Sequence, residues 1–233
     1  SNVVAITRND IQPMAALEAI FKMPKPANNE IWYTNSTTQK IDLYRTNGFG
    51  ANIVSNTYDT EKECWVITFD NNITTIGEYA FQNRTTMTSV TIPNSVTSIG
   101  QYAFNGCSSL ASFSIPSSVS SVKSGAFSGC TSLKRVDIDD FSAWCKISFN
   151  AAAANPLFNG AKLYLKGNEL TDITIPADIT KIEYAFYGCT SLNSVTIPDS
   201  VTSIGSYAFY ECSALRRVTI GSGVTSIDYR PFY

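Results

Sequence analysis

Six cysteines and no histidine set the chemical limits of this 233-residue chain. Without imidazole there is no Ser-His-Asp or Cys-His catalysis and no histidine-ligated metal. None of the cysteines forms a Cys-x-x-Cys pair, so a thiolate zinc site is poorly supported. Cys107 and Cys130 stand 23 positions apart, as do Cys189 and Cys212. Regular spacing of this kind implies one structural position used repeatedly. On stacked strands about 5 Å apart, a disulfide between neighbours is sterically allowed, since Cα atoms about 4.4–6.8 Å apart can be bridged. Parallel, inward-pointing thiols read more simply as small buried hydrophobes. Cys64 occupies a position that other units fill with Leu, which places it in the core. Cys145 has no histidine to act as its base.

Carboxylates are the remaining catalytic candidates. The densest group is Asp137, Asp139 and Asp140. A facing pair about 5–9.5 Å apart could run glycoside hydrolysis, and an acidic loop could hold Ca2+. The plainer reading is a solvated turn in which one aspartate caps the segment from Phe141 onward. No catalytic, cofactor-binding or metal-ligating residue is assigned on these grounds.

Charge narrows the field further. Lys and Arg total 17, Asp and Glu 19, and the formal net charge is −2. Only 15% of residues are charged, against about a quarter in ordinary soluble proteins. A slightly acidic chain without a basic run lacks the electrostatic footprint of a nucleic-acid binder. No stretch reaches the ~18 apolar residues of a membrane-spanning helix. Ser and Thr make up about a fifth of the chain, and their placement follows from its repeats.

The segments Ser89–Phe104 and Ser194–Phe209 are nearly identical. The phenylalanines of an Ala-Phe pattern fall at 81, 104 and 127, then at 186, 209 and 232. Their separations are 23, 23, 59, 23 and 23. A Leu-x-x-φ-x-φ core (φ apolar) runs through Leu110/Phe113/Ile115, Leu133/Val136/Ile138, Leu192/Val195/Ile197 and Leu215/Val218/Ile220. Cys64/Ile67/Phe69, Met87/Val90/Ile92 and Leu170/Ile173/Ile175 keep the same phase. About seven units therefore start at 64, 87, 110, 133, 170, 192 and 215, with a lengthened unit at 133–169. A fixed period in the low twenties means a solenoid, in which stacking buries what no single unit can. Within each unit, alternation predicts a short strand ending at a proline such as Pro116. A second extended piece follows, then one tight helical turn at Tyr-Ala-Phe.

These motifs resemble the BspA-type, or Treponema-type, leucine-rich repeat. The pattern Leu-x-x-φ-x-Ile-Pro, then Val-x-x-Ile-Gly-x-x-Ala-Phe-x-x-Cys-x-x-Leu, covers positions 64–233. The long unit, with Asp140–Cys145, Asn155-Pro-Leu157 and Leu163-Tyr-Leu165, is similar to a variant common in that family. The resemblance implies an α/β leucine-rich-repeat solenoid, a β-rich horseshoe with one short strand per repeat on its concave face. It also implies a secreted or surface-anchored protein of host-associated anaerobic bacteria, adhesin-like and noncatalytic. Its partners would be host or microbial surface proteins. Binding of a glycan is the alternative, and a carboxylate-based hydrolase ranks third. Departures fall at the ends, where capping units are expected: Arg84 replaces the first terminal Cys, and Arg230-Pro231 precedes Phe232. Val96, Val119 and Val201 stand where leucine-rich repeats often have Asn or Cys.

On that horseshoe, the concave face would carry Ser89, Thr91, Ser112, Ser114, Arg135, Asp137, Asp172, Thr174, Ser194, Thr196, Arg217 and Thr219. These are soluble strand residues that could equally be filler, or the floor of a polar groove for an extended ligand. Phe141, Trp144 and Tyr164 of the long unit could grip a partner or stack on sugar, or simply pack that unit. Residues 1–60 do not repeat and read as a cap: a helix from Asp10 to Phe21, a proline-rich linker to Asn29, and a β-hairpin-like pair at Ile31–Thr34 and Ile41–Tyr44. Trp32 and Phe49 are its candidate plugs, and residues 61–233 form the solenoid. A monomer is expected. The start, Ser1-Asn-Val-Val, reads as an already trimmed chain without a signal peptide, so the extracellular or surface location rests on the resemblance.

Overall fold

The computed structural model describes residues 25–233. The helix expected over 10–21 lies outside them. Two kinds of strand alternate along the repeats. One column has β3 (Cys64–Phe69), β5 (Met87–Thr91), β7 (Ser112–Ile115), β9 (Arg135–Ile138), β11 (Lys162–Leu165), β13 (Asp172–Thr174), β15 (Ser194–Ile197) and β17 (Arg217–Ile220). The other holds two-residue strands: β4 (Thr75–Ile76), β6 (Ser98–Ile99), β8 (Ser121–Val122), β10 (Ser148–Phe149), β14 (Lys181–Ile182), β16 (Ser203–Ile204) and β18 (Ser226–Ile227). The chain is thus a β-solenoid of about seven turns.

Parallel pairing keeps the repeats in register. Val90 pairs with Phe113 and Phe113 with Val136, while Ser89 pairs with Ser112 and Ser112 with Arg135. Side chains alternate across a strand, so the first set builds a buried row and the second an outward one. Inside, Phe81, Phe104 and Phe127 stack at 5.2 and 5.4 Å, and Phe186, Phe209 and Phe232 at 5.2 and 5.3 Å. The Phe104 amide donates to the Ala126 carbonyl at 2.9 Å, and Phe81 and Phe186 bond Ala103 and Ala208 in the same way. Alanine is buried at each of these sites, because the preceding turn's backbone is bonded directly against it.

The Tyr-Ala-Phe segment is not the helical turn the sequence implied. Tyr79, Tyr102, Tyr184 and Tyr207 have φ between 52° and 60°, and Gly125 takes the same place at 69°. A left-handed residue breaks a right-handed helix, so the segment is a chain of i→i+3 turns such as Ala103 N–H to Gly100 O.

The N-terminal segment departs most from expectation. Ile31–Thr34 lies within β1 (Glu30–Asn35), but Ile41–Tyr44 forms no strand. Instead β2 (Ile53–Asp59) makes a hairpin with β3, and β1 is inserted antiparallel between β3 and β5. The first repeat therefore does not stack its long strand on the second. Phe49 is fully buried against Phe69 and Phe81 and does plug the end. Trp32 does not: alternation puts Ile31 and Tyr33 inside and Trp32 on the outer face, half-buried. Cys64 is buried, as its repeat position implies, but beside Val66 and apart from the main cluster. Leu110 precedes its strand, whereas Cys64 is already extended by the hairpin and shares the outer face with Val66, opposite Ile67 and Phe69.

The stack breaks at the lengthened unit. After β11, Lys166 (φ 50°) and Gly167 (φ 84°) form a two-residue turn of the kind that joins hairpin strands, and β12 (Asn168–Glu169) folds back antiparallel. One eight-stranded sheet ends there, and β13, β15 and β17 form another. The short-strand column breaks at the same place, between β10 and β14.

Phe104 touches stacked rings on both sides and two repeats depend on it. Phe104→Ala is expected to cost about 3–5 kcal/mol, read as a lower urea midpoint with an unchanged slope.

Candidate functional site: the outer face of the eight-stranded sheet

Two parallel rows of side chains cross the outer face from β1 to β11. One row is Thr34, Ser89, Ser112, Arg135 and Lys162; the other is Trp32, Thr91, Ser114, Asp137 and Tyr164. Small hydroxyls form the middle, all half-buried. Thr34 Oγ1 lies 2.6 Å from Ser89 Oγ and 2.8 Å from Thr88 Oγ1, so part of this floor is internally bonded.

Each end of the second row carries an aromatic ring under a cation. Lys62 Nζ sits 5.5 Å from the Trp32 ring centre, and Trp32 Nε1 donates to Glu30 Oε2 at 2.8 Å. Arg135 lies 4.1 Å over Tyr164 and forks onto Asp137, with Nε and Nη2 each 2.7 Å from a carboxylate oxygen. A bidentate, stacked guanidinium is held in one orientation, and its hydrogen bond to Asp137 raises its pKa further. Tyr164 Oη donates to Glu169 Oε2 at 3.0 Å, and Lys162 reaches the other oxygen at 3.0 Å. The Lys162 hydrogen bond holds Glu169 below the ordinary carboxylate range. The charges on this end of the face are therefore paired among themselves.

The second sheet continues the outward rows with Asp172, Thr174, Ser194, Thr196, Arg217 and Thr219, more exposed than the first set. Asp172 accepts from Ser194 and Thr171, which lowers its pKa. The hairpin at β12 separates these residues from the first face, so the twelve outward positions expected as one surface divide into two.

The long unit's aromatics also divide. Trp144 is 1% exposed and is no binding residue. Its Nε1 donates to Ala185 O at 3.1 Å, and Asn155 Nδ2 donates to Tyr184 O at 2.6 Å and Ala185 O at 3.1 Å. In other units a Phe amide serves that alanine carbonyl; here two side chains replace the missing backbone donor. Phe141 is half-buried, 6.0 Å from Phe186. Only Tyr164 of the three lies on the outer face. Trp32, taken in the sequence for a plug, is the functional candidate that was missed; its alternation with Ile31 and Tyr33 was the available signal.

The aspartates form no catalytic pair. Asp137 is held by Arg135, Asp139 by Lys25 at 2.6 Å, and Asp140 caps α1 (Phe141–Cys145) by accepting from Ala143 N at 2.8 Å. Among the described residues no three of Cys, Asp and Glu are grouped to hold a metal.

All six cysteines are buried and free. Three explain their own position: Cys107, Cys130 and Cys212 donate Sγ–H to Phe81 O, Phe104 O and Phe186 O of the preceding turn at 3.0–3.2 Å. Arg84 can replace Cys in the first such unit because no Ala-Phe turn precedes it. Burial pushes the Cys107 and Cys145 thiols up to about 12 and raises Cys130 and Cys212 further. These are unreactive structural thiols.

The family model of the BspA type leucine rich repeat region matches residues 51–152 and 160–233, in six copies. The chain belongs to this family. Among solved structures it is similar to the Treponema pallidum leucine-rich repeat protein TpLRR, with 24% identity, 68% of each chain covered and a TM-score of 0.49. A leucine-rich repeat protein from Eubacterium ventriosum shows 18% identity, 70% of this chain and 46% of that one covered, and a TM-score of 0.44. A leucine-rich cell surface protein from Faecalibacterium prausnitzii shows 20% identity, 84% and 81% coverage, and a TM-score of 0.29. No curated protein matches the chain.

Asn155→Ala removes the donor to two carbonyls and should cost about 1–3 kcal/mol in stability, measured by thermal or urea unfolding. The native thiols should resist an aromatic disulfide reagent at pH 8 and all six should react once unfolded. Because folding raises the thiol pKa values, deprotonation favours the unfolded chain: stability should be full below pH 9 and fall as pH rises toward 12.

Proposed function

We propose that this is a noncatalytic binding protein of the bacterial cell surface or its surroundings, adhesin-like, which engages host or microbial surface proteins through the outer face of the eight-stranded sheet. The observation that carries this reading is the unbroken face from Trp32 to Tyr164, floored by small hydroxyls and ended by two aromatic rings. Solenoid surfaces of this kind suit extended or flat partners, and Trp, Tyr and Arg are the residue types that dominate binding energy at protein interfaces. Membership of the family supports the location. No helix among the described residues is long and apolar enough to cross a membrane, so attachment would come from elsewhere in the protein or from a partner.

Catalysis finds no support in the arrangement, since each aspartate has its own structural partner and the thiols are buried. The glycan alternative loses Trp144 and keeps Trp32 and Tyr164, each with one ring face already under a cation.

Solid-phase binding to a panel of immobilised matrix proteins and to whole cells tests the proposal. Saturable binding that Ser112→Arg weakens roughly tenfold, about 1.4 kcal/mol, supports it. Absence of saturable binding to the whole panel overturns it, and binding only to a glycan array would transfer the site to the alternative.

A further inference from the structure

Where the lengthened unit meets the next, the short-strand column is interrupted by a cleft of about 370 Å³ between β10 and β14. Up to that point each turn donates to the one before it. Thr97 and Gly100 amides donate to Thr74 O and Ile76 O, Ser120 and Lys123 to Thr97 O and Ile99 O, and Ser148 and Asn150 to Ser120 O and Val122 O. Continued by one turn, the pattern would pair the Thr180 and Glu183 amides with Ile147 O and Phe149 O. Among the described residues, none of these bonds forms. Side chains make the join instead: Lys146 and Ser142 both reach Asp178 Oδ2 at 2.6 Å, at a solvent-exposed position. Ile147 on one lip of the cleft and Phe149 next to it therefore keep carbonyls without the partners the pattern supplies, and Thr180 and Glu183 on the other lip keep amides without theirs.

We propose that this cleft takes a short extended segment of a partner protein by strand addition. The segment lies parallel to β10 and β14, gives its N–H groups to Ile147 O and Phe149 O, and accepts from Thr180 and Glu183. Open strand edges are templates for this pairing, and main-chain bonds supply the affinity while alternate side chains supply the choice of sequence. The column states the preference itself. Thr75-Ile76, Ser98-Ile99 and Ser121-Val122 each place a hydroxyl residue outward and a β-branched residue inward. Ile147 and Ile179 line the cleft and would meet the inward residue. This site is separate from the outer face and does not depend on its role.

The probe is a capped hexapeptide, Val-Thr-Ser-Ile-Gly-Ser, equal in sequence to residues 201–206, titrated into the full chain and followed by amide NMR and hydrogen exchange. Saturable shifts and slowed exchange at the Thr180 and Glu183 amides are the expected result. Replacing the peptide's Gly by Pro removes the donor equivalent to the Gly205 amide, which bonds Ile182 O in the column, and should abolish them. Ser148→Trp fills the cleft from an exposed lip and should weaken binding roughly tenfold; Thr180→Trp serves if that variant does not fold. Thr91→Arg, on the outer face, should leave the titration unchanged. Four outcomes overturn the proposal: no saturable shift, shifts confined to the outer face, equal binding by both folded tryptophan variants, or the same protection appearing without peptide as the protein is concentrated, which would mean a second copy fills the cleft.

Discussion

Everything in this molecule depends on one turn of chain bonding to the next in register. A unit of 23 residues cannot enclose a core, so its Phe, Ile and Val side chains are buried only because identical groups lie above and below. The Phe amide bonded to the next Ala carbonyl sets that alignment, and the Cys thiol bonded to the preceding Phe carbonyl completes it. The feature that looked most chemical in the sequence, the regularly spaced thiols, is a consequence of this stacking. The same constraint explains why deleting a single ring should be costly: Phe104 and Phe209, stacked on both sides, each belong to two interfaces at once.

Ends and interruptions are where the constraint has to be met another way, and there the chain uses different devices. At the N-terminal side an antiparallel strand, β1, is laid against β5, and Phe49 closes the core. In the middle, a Lys-Gly turn folds β12 back and seals the first sheet. Trp144 and Asn155 then serve the carbonyls of Tyr184 and Ala185 with side-chain donors. The lengthened unit is thus less an ornament on the solenoid than a joint between two regular stacks, held mainly by side chains. That joint leaves backbone groups of β10 and β14 without the partners that every other neighbouring pair in the column has.

The outer face has a different character. Its charges are consumed locally, Arg135 by Asp137 and Tyr164, Lys162 by Glu169. What remains toward solvent is a band of hydroxyls between two rings. Such a surface gains little from long-range attraction, and its selectivity must come from shape and hydrogen bonding at short range. This fits a role in contact between surfaces better than one in capturing a charged small molecule.

The sequence by itself determined the solenoid, its period, the buried ladder of Phe, Ala, Ile and Cys, and which strand positions face outward. Those are properties of alternation and repetition, and each copy repeats the same information. It was silent where a residue's role depends on a neighbour distant in the chain. Trp144 looked available because its indole acceptor, the Ala185 carbonyl, lies 41 positions away. Cys64 is buried as its repeat position implied, but the hairpin with β2, which is not written in the repeat, puts it on the opposite side of β3 from Ile67 and Phe69. Of the three clustered aspartates, one was expected to cap the segment from Phe141 and Asp140 does so, but the partners of Asp137 and Asp139, Arg135 and Lys25, were not legible. Only the tertiary structure could decide these roles, because burial and pairing are set by which strand lies alongside, and at the ends and the joint that neighbour is not the next repeat.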